Sequence, residues 1–205
     1  RPFPGAKPNH WDPGIRLPFV VYDPAAEKQN VVSDAMISFV DITPTILDYA
    51  GVQTEGNDFH GRSFRETVGR EHTPGFDTIF ASHTFHEIQQ YWPMRTIRTR
   101  KYKLIWNLEF ETTYPLGGGS KSFPRKVKEQ GFSSLGVRSI ESFLHRPQFE
   151  LYDMENDPNE VNNLAEDPEY REVLEQLKER LYRFQDETGD IWNVYQGYDE
   201  MREML

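Results

Sequence analysis

The 205-residue sequence contains no cysteine, and several other common features are absent from it. Without cysteine the chain can form no disulfide bond, so its redox compartment cannot be inferred from disulfides. No N-x-S/T signal occurs, so nothing in the sequence indicates a glycosylated host. No apolar stretch approaches the ~20 residues that a membrane-spanning helix needs. The sequence therefore predicts a folded protein without a membrane span, because its length and its 14% of aromatic residues suffice to build a core.

The acidic charge of the chain is concentrated near its C-terminus. The net charge is −10, and residues 149–190 contain fourteen acidic and four basic side chains, so the remainder is balanced. A nucleic-acid-binding protein needs a basic face to displace counterions from phosphates. Nucleic acid is therefore excluded as a partner. A different polyanionic ligand would approach the balanced part of the chain and avoid the acidic part.

One segment of the balanced part is rich in basic side chains. It holds Arg95, Arg98, Arg100, Lys101 and Lys103. If the segment is a strand, alternation places some of these residues on one face. A solvated sheet surface is the interpretation that we favour for most of them, since runs of charge usually face water.

The first eighteen residues are typical of a rigid loop that presents its side chains. Five prolines and two glycines keep this stretch out of helices and strand ladders. The cation Lys7 stands inside the loop beside Asn9 and His10, between Arg1 and Arg16. The apolar run at residues 17–22 follows directly and predicts a buried parallel strand. Enzymes with α/β folds often place ligand contacts where such a loop meets such a strand.

The hydrophobic pattern predicts the other main elements. A short helix is expected at residues 42–50, with Pro44 in its first turn and Gly51 as its stop. Strands are expected at residues 78–82, 94–98, 102–106 and 149–152. The third of these strands has one aromatic face, because Tyr102, Leu104 and Trp106 alternate with other residues.

A long helix is expected after Asp167 and Pro168, ending at Gly189. Its apolar stripe consists of Tyr170, Val173, Leu174, Leu177, Leu181 and Phe184. Strands followed by one helix favour an α+β layer in which the helix packs on an antiparallel sheet. Residues 52–75 are expected to form a surface connection. Residues 116–146 are expected to form a long loop that can carry a short helix, and a connection of this length is more often functional than incidental.

Three segments resemble motifs of the formylglycine-dependent sulfatase family, in the order in which that family has them. The N-terminal loop, through Gly5, Lys7, Gly14, Arg16 and Pro18, resembles the segment that carries a sulfate-binding lysine. Residues 41–48 (DITPTILD) resemble the family's D-x-x-P-T-x-L helix, and residues 149–165 resemble its C-terminal E-L-Y-D signature. Within the family, residues 82–95 (SHTFHEIQQYWPMR) look most like the sulfamidases, which remove N-linked sulfate from glucosamine.

The resemblance implies an α/β alkaline-phosphatase-like fold. Residues 1–75 would be the end of the large domain. Residues 76–205 would be an α+β C-terminal subdomain with a small antiparallel sheet and a long C-terminal helix, and the boundary would lie near Pro74. The chain is expected to be the C-terminal part of a sulfatase, packed on the N-terminal part of the sulfatase domain.

The resemblance also implies cofactors that this chain does not supply. Sulfatases oxidise a Cys or Ser in a C/S-x-P-x-R motif to formylglycine, whose hydrate attacks sulfur, while calcium and basic residues hold the sulfate. That motif is absent here, so formylglycine and calcium are expected to come from the N-terminal part. No metal site is expected in this chain. The acidic run from Asp153 to Glu160 has Pro158 where a calcium loop needs glycine, so we interpret it as a turn.

The candidate site residues fall into two groups. By resemblance, Lys7 is a catalytic residue that binds sulfate and stabilises its charge. His86 and Glu87 match a His-Glu pair that faces the sugar in sulfamidases, and His83 and Arg95 complete the predicted substrate-binding set. His83 and His86 do not have the zincin spacing. Each substrate-binding residue also has a structural interpretation: the His-Glu pair as a buried hydrogen-bonded pair, and Arg95 as the partner of an acidic neighbour.

The sequence thus predicts a sulfatase that removes sulfate from a sulfated amino sugar or glycan, with an N-sulfoglucosamine end preferred. One alternative is a glycan O-sulfatase. Others are a non-catalytic binding member of the superfamily and a phosphoesterase with two zinc ions. A sulfated glycan is the expected partner. We expect a bacterial periplasmic or secreted location rather than a lysosomal one.

Overall fold

The computed structural model describes residues 6, 8–53, 59–86, 91–115 and 129–193. The chain divides into two compact units, one made of residues 1–17 and 80–205 and the other of residues 18–79. In the described ranges no helix is both long enough and apolar enough to cross a membrane.

A small antiparallel sheet forms the centre of the first unit. The strands in the described part of the chain are β1 (Thr78–Phe85), β2 (Tyr91–Thr99), β3 (Tyr102–Asn107), β4 (Ser134–Leu135), β5 (Arg138–Ser139) and β6 (Phe149–Asp153). The main sheet has the order β1-β2-β3-β6, and β4 pairs with β5 in a separate hairpin. On β3, Ile105 lies opposite Thr96 of β2 and Glu150 of β6. The four predicted strands are confirmed, and β1 extends beyond residue 82 so that it includes His83.

The long C-terminal helix covers one face of the sheet. The helices are α1 (Asp12–Ile15), α2 (Ile42–Tyr49), α3 (Ile140–Leu144) and α4 (Arg171–Thr188). The side chain of Asp167 accepts a hydrogen bond from the N–H of Glu169, and Gly189 ends α4 with a φ of 63°. Helix and sheet share one apolar cluster, whose buried members are Ile97, Leu104, Trp106, Leu108, Leu151, Leu177 and Leu181. The predicted helix and its apolar stripe are confirmed.

The opposite face of the sheet is also buried, which corrects the prediction of a solvated basic surface. Lys103 lies on this opposite face and is 0% exposed, whereas Arg95 lies on the face that α4 covers and is 4% exposed. Residues 10–12 of the N-terminal loop hydrogen-bond to side chains on the face of Lys103, as described below. The prediction was wrong for these two residues because a strand that is covered on both faces has no side for solvent, whatever its charge pattern.

Residues 17–22 do not form the predicted buried strand. They have no regular secondary structure, and Val20 is 92% exposed. A strand needs a neighbour that pairs with its N–H and C=O groups, and nothing in the described ranges supplies one. This prediction was wrong for the chain as it stands.

The predicted helix at residues 42–50 is confirmed as α2, in the second unit. Asp41, which precedes it, accepts hydrogen bonds from the backbone N–H groups of Ser38 (2.8 Å) and Arg62 (3.0 Å). A side chain on Gly61 would lie 2.3 Å from the carbonyl oxygen of Val40, so only glycine fits there. The D-x-x-P-T-x-L segment therefore ties α2 to residues 61–62.

The long connection at residues 116–146 is partly described. Residues 116–128 lie outside the described ranges. The remainder contains the β4–β5 hairpin, which was not predicted, and the short helix α3, which was. The side chain of Ser139 caps α3 by accepting a hydrogen bond from the N–H of Ser142 (2.9 Å).

Candidate functional site

The loop of the predicted sulfate-binding lysine folds tightly on itself. Lys7 itself lies outside the described residues, whereas its neighbours Ala6 and Pro8 are described. A Cβ atom on Gly14 would lie 2.1 Å from the carbonyl oxygen of Asn9 and 3.0 Å from that of Ala6. Glycine is thus required at position 14 because the loop backbone crosses itself there. Tyr114 donates a hydrogen bond to the carbonyl of Pro8 (2.6 Å), so the loop is fixed one residue after Lys7.

Trp11 anchors the loop in the core. It is buried, and the guanidinium groups of Arg138 and Arg146 lie 3.7 and 4.3 Å from the centre of its ring. Its indole N–H donates a hydrogen bond to Glu150 on β6 (3.0 Å). The loop is therefore attached to the face of the sheet that α4 does not cover.

Glu150 is the centre of a buried polar network. Besides the Trp11 indole, its carboxylate accepts hydrogen bonds from Arg146 Nε (2.7 Å), Asn107 Nδ2 (2.7 Å) and Tyr152 Oη (2.6 Å). Burial alone would raise the pKa of Glu150, but Arg146, Tyr152 and Asn107 together lower it. Glu150 is consequently ionised at neutral pH, with four donors directed at it.

Lys103 on β3 forms a second buried connection to the loop. Its ammonium donates hydrogen bonds to the carbonyl of His10 (3.2 Å), to Asp12 Oδ1 (2.5 Å) and to Glu160 Oε1 (2.7 Å). The other carboxylate oxygen of Glu160 accepts the backbone N–H of Asp12 (2.6 Å). Burial raises the pKa of Glu160, and the attraction of Lys103 only partly offsets this effect. Lys103 and Glu160 together hold residues 10–12.

His10 is a buried, neutral imidazole three residues after Lys7. Its Nδ1 atom lies 2.7 Å from Thr96 Oγ1, and its ring meets that of His83 edge to face at 6.3 Å between ring centres. Burial is the largest cause that holds the pKa of His10 well below its usual range, and His83, Arg146 and Lys103 add to it. The loop and the end of β1 thus meet through these two rings.

The low pKa of His10 predicts a loss of stability on acidification. Below about pH 6.5 the histidine is protonated in the unfolded chain but stays neutral in the folded protein. The free energy of unfolding therefore decreases as the pH is lowered, by up to about 1.4 kcal/mol per pH unit. We expect His10→Asn to reduce this slope. Urea unfolding of the whole protein between about pH 5.5 and 7.5 measures the slope. Equal slopes for wild type and His10→Asn would show that His10 does not resist protonation.

His83 presents a hydrogen-bond acceptor. Its Nδ1 lies 2.9 Å from the carbonyl oxygen of Trp92, which can only accept, so Nδ1 carries the proton. Burial is the main cause that lowers the pKa of His83, which favours the neutral ring. Its buried Nε2 atom has no hydrogen-bond partner within the described ranges. This nitrogen is therefore an unused acceptor for an O–H or N–H group.

Arg95 is saturated by the protein. Its guanidinium donates to both carboxylate oxygens of Asp190, just after α4, and Nη1 donates to the carbonyls of His83 (3.0 Å) and Met94 (2.8 Å). This geometry supports the structural interpretation, in which Arg95 ties the backbone of His83 to the end of α4. Direct contact between Arg95 and a substrate stays a prediction.

The predicted His-Glu pair is described only in part. His86 follows β1 directly and is half-buried, whereas Glu87 lies outside the described residues. Of the predicted site residues, the structure thus brings His83 next to the Lys7 loop and leaves the positions of Lys7 and Glu87 as predictions.

Comparison with known proteins identifies the family. The family model described as N-sulphoglucosamine sulphohydrolase, C-terminal, matches residues 7–117 and 126–187. The chain belongs to this family.

Two curated sulfatases show sequence similarity to the chain. The chain is 31% identical over 203 residues to N-sulphoglucosamine sulphohydrolase from Homo sapiens, a match that covers 93% of this chain and 40% of the human protein. It is 28% identical over 190 residues to an ulvan-active sulfatase from Formosa agariphila, covering 88% of this chain and 35% of that protein. The chain thus spans well under half the length of these relatives.

A solved structure confirms the fold class. A protein in complex with its substrate D-glucosamine-2-N,6-O-disulfate matches 74% of this chain and 24% of its own, with a TM-score of 0.50 and 22% identity. The predicted alkaline-phosphatase-like fold of the sulfatases is therefore confirmed.

The C-terminal sulfatase signature has a clear structural purpose in this family member. Asp153 accepts hydrogen bonds from the backbone N–H groups of Glu155 and Asn156, and Asp157 accepts from those of Val161 and Asn162. The predicted turn is confirmed by these bonds. The turn leads to Glu160, whose carboxylate reaches the N-terminal loop.

The described ranges contain no group of three or more His, Cys, Asp or Glu side chains placed to hold an ion.

The residues that sequence reasoning missed are those that fix the loop. Lys103, Arg146, Glu150 and Glu160 are all buried, and none was proposed as a site residue. A signal for Lys103 exists: it shares a strand face with Ile105, opposite an aromatic face, as in a strand covered on both sides. No local pattern identifies Arg146, because its partners Asn9 and Glu150 are set by tertiary packing.

Proposed function

We propose that this chain is the C-terminal part of a sulfatase that releases sulfate from sulfated amino sugars, with N-sulfoglucosamine as the preferred end. Membership of the N-sulphoglucosamine sulphohydrolase C-terminal family supports the proposal. So does the fold likeness to the protein solved in complex with its substrate, a disulfated glucosamine.

One structural observation carries this proposal furthest: the two predicted functional segments meet. The rings of His10, on the sulfate-binding loop, and His83, at the end of β1, are in edge contact. A group held by Lys7 therefore has the segment that continues to His86 and Glu87 beside it. This arrangement suits a ligand with an anionic group at one end and hydroxyl or amine groups at the other.

The chemistry of each segment fits one end of such a ligand. Lys7 is a point charge suited to sulfate oxygens, which only accept hydrogen bonds. Neutral His83 offers an acceptor, which suits a sugar O–H or the N–H of a sulfamate. His86 and Glu87 would complete the sugar subsite, and the loop beyond β1 would determine which sugar is bound.

The remaining parts of the site would come from the N-terminal part of the protein. We propose that it supplies formylglycine, the nucleophile, and calcium, which neutralises sulfate charge. A periplasmic or secreted location and a role in glycosaminoglycan degradation belong to the same proposal. A glycan sulfatase of another specificity is the second candidate, favoured by the 28% identity to an ulvan-active sulfatase.

The specificity of the proposed sugar subsite can be tested with His86→Ala and Glu87→Gln. We expect each variant, made in the full-length protein, to lose about 1–3 kcal/mol of transition-state binding for N-sulfoglucosamine ends, the usual cost of an unpaired polar group. Small aryl sulfates do not reach the sugar subsite, so their kcat/KM should be unchanged. Steady-state kinetics on N-sulfo, 6-O-sulfo and aryl substrates measures the difference.

The matched control is His72→Ala, which removes an exposed histidine paired with Asp34. We expect it to leave all three substrates unaffected. Equal losses of His86→Ala and Glu87→Gln on every substrate, or no loss on the N-sulfo sugar, would return these residues to a structural role.

A further inference from the structure

We propose that Lys103 and Glu160 are positioning residues, which act on the reaction by fixing the loop that carries Lys7. This inference rests on the proposed function, because the task that it assigns is to place Lys7, the proposed sulfate-binding residue.

All three N–H groups of the Lys103 ammonium donate hydrogen bonds to other parts of the protein. Two of its three hydrogen bonds go to the loop, to the carbonyl of His10 and to the carboxylate of Asp12, and the third goes to Glu160. Because Lys103 projects from the middle of a sheet that is paired on both sides, it is a rigid support. The position of the loop is thus set by its contacts with the sheet.

Glu160 also holds the loop, and Lys103 and Glu160 are together called the clamp. Its two carboxylate oxygens are divided between Lys103 and the backbone N–H of Asp12, so it fixes both a charge and the start of α1. Its own backbone has a φ of 56°, in the left-handed region that costs energy for a residue other than glycine. Such strain is kept where the surroundings hold it, and here it directs the carboxylate to the loop.

The cost of burying these charges argues that they are kept for geometry rather than for stability. Lys103 and Glu160 are both 0% exposed. A buried ion pair seldom stabilises a fold more than apolar side chains of similar size would. The opposite face of the same strand is filled with apolar side chains around Leu104 and Trp106. A directional contact specifies where the loop lies, which apolar packing does less sharply.

Position matters because the proposed role of Lys7 is that of a preorganised charge. A displacement of about 1 Å in a reacting or stabilising group can reduce a rate by about 10²-fold. The tie from Tyr114 to Pro8 fixes the loop one residue after Lys7, and the clamp fixes it three to five residues after. Weakening the clamp should therefore impair the work of Lys7 and leave the rest of the site intact.

A double-mutant cycle between Lys7 and Glu160 tests this coupling in the full-length protein. We expect Glu160→Gln to lower kcat about 10- to 100-fold, on N-sulfo and aryl substrates alike, with a smaller change in KM. In a Lys7→Ala background the same substitution should cost little more, because the charge that it positions is already gone. An equal loss in both backgrounds would overturn the inference.

Two further variants separate positioning from general damage. Leu181→Ala removes a buried α4 side chain that packs on the far face of the sheet. It should lower the free energy of unfolding. At temperatures where the variant stays folded, its kcat should be unchanged. Lys103→Arg keeps the charge and should retain more activity than Lys103→Met. If Glu160→Gln does not fold, the cycle is run with Lys103→Arg, and the same additive result would contradict positioning. A Lys7→Ala variant with full activity would instead refute the proposed function itself.

Discussion

Replacing Lys7 with alanine is expected to lower kcat by roughly 10²–10³, the scale for removing one preorganised charge-stabilising group. In the proposed function, Lys7 provides a compact positive charge for the negative charge that grows on the sulfate oxygens as the sulfur bond breaks. The loop that presents it is fixed at Pro8, Trp11 and Asp12. The effect should therefore fall on kcat and should be the same for sugar and aryl substrates, because all of them carry sulfate.

Two further variants serve as comparisons for Lys7→Ala. Lys7→Arg should recover part of the activity, since charge at this position matters more than residue type. Lys28→Ala, at an exposed lysine of the second unit, should behave as wild type. Unchanged kcat/KM for Lys7→Ala on the native substrate would make Lys7 a solvated surface residue.

The second large effect is expected at Glu150. Glu150→Ala should lower the free energy of unfolding by about 3–5 kcal/mol, because it leaves Arg146 as an uncompensated buried charge. It also removes the acceptor of the Trp11 indole, so the loop loses its attachment to β6. Urea unfolding of the full-length protein measures the change.

An exposed ion pair provides the control for Glu150→Ala. Glu179 pairs with Arg183 at 2.8 Å on the surface of α4, and Glu179→Ala should cost less than about 1 kcal/mol. Because the pKa of Glu150 is lowered in the folded state, its contribution is present at neutral pH and is lost as the pH falls through that folded pKa. Equal losses for the two variants would show that the Glu150 network does not hold the fold.

Local pattern predicted the elements of the first unit well. The apolar stripe containing Leu177 and Leu181 predicted α4, and the alternation of Tyr102, Leu104 and Trp106 predicted β3. In both elements the apolar residues recur with the period that places them on the buried face. The strand expected at residues 17–22 failed for the complementary reason. Apolar residues there predict burial, but a strand also needs a partner, and a partner is a property of the whole fold.

The site was predicted only as far as motifs reach. Lys7, His83 and the His86–Glu87 pair came from resemblance and from residue chemistry. Lys103 was interpreted as a surface residue, because charge argues for solvent unless a partner is known. That partner, Glu160, lies 57 positions later in the chain, and no periodicity connects the two. Long-range polar pairing of this kind becomes visible only in the folded structure.

The most direct test of the central claim is the rate of sulfate release by the full-length protein from N-sulfoglucosamine. We expect a higher kcat/KM for N-sulfoglucosamine than for 6-O-sulfoglucosamine, and strong loss of both in Lys7→Ala. No release from either sugar by protein that carries an intact upstream sulfatase motif would contradict the account.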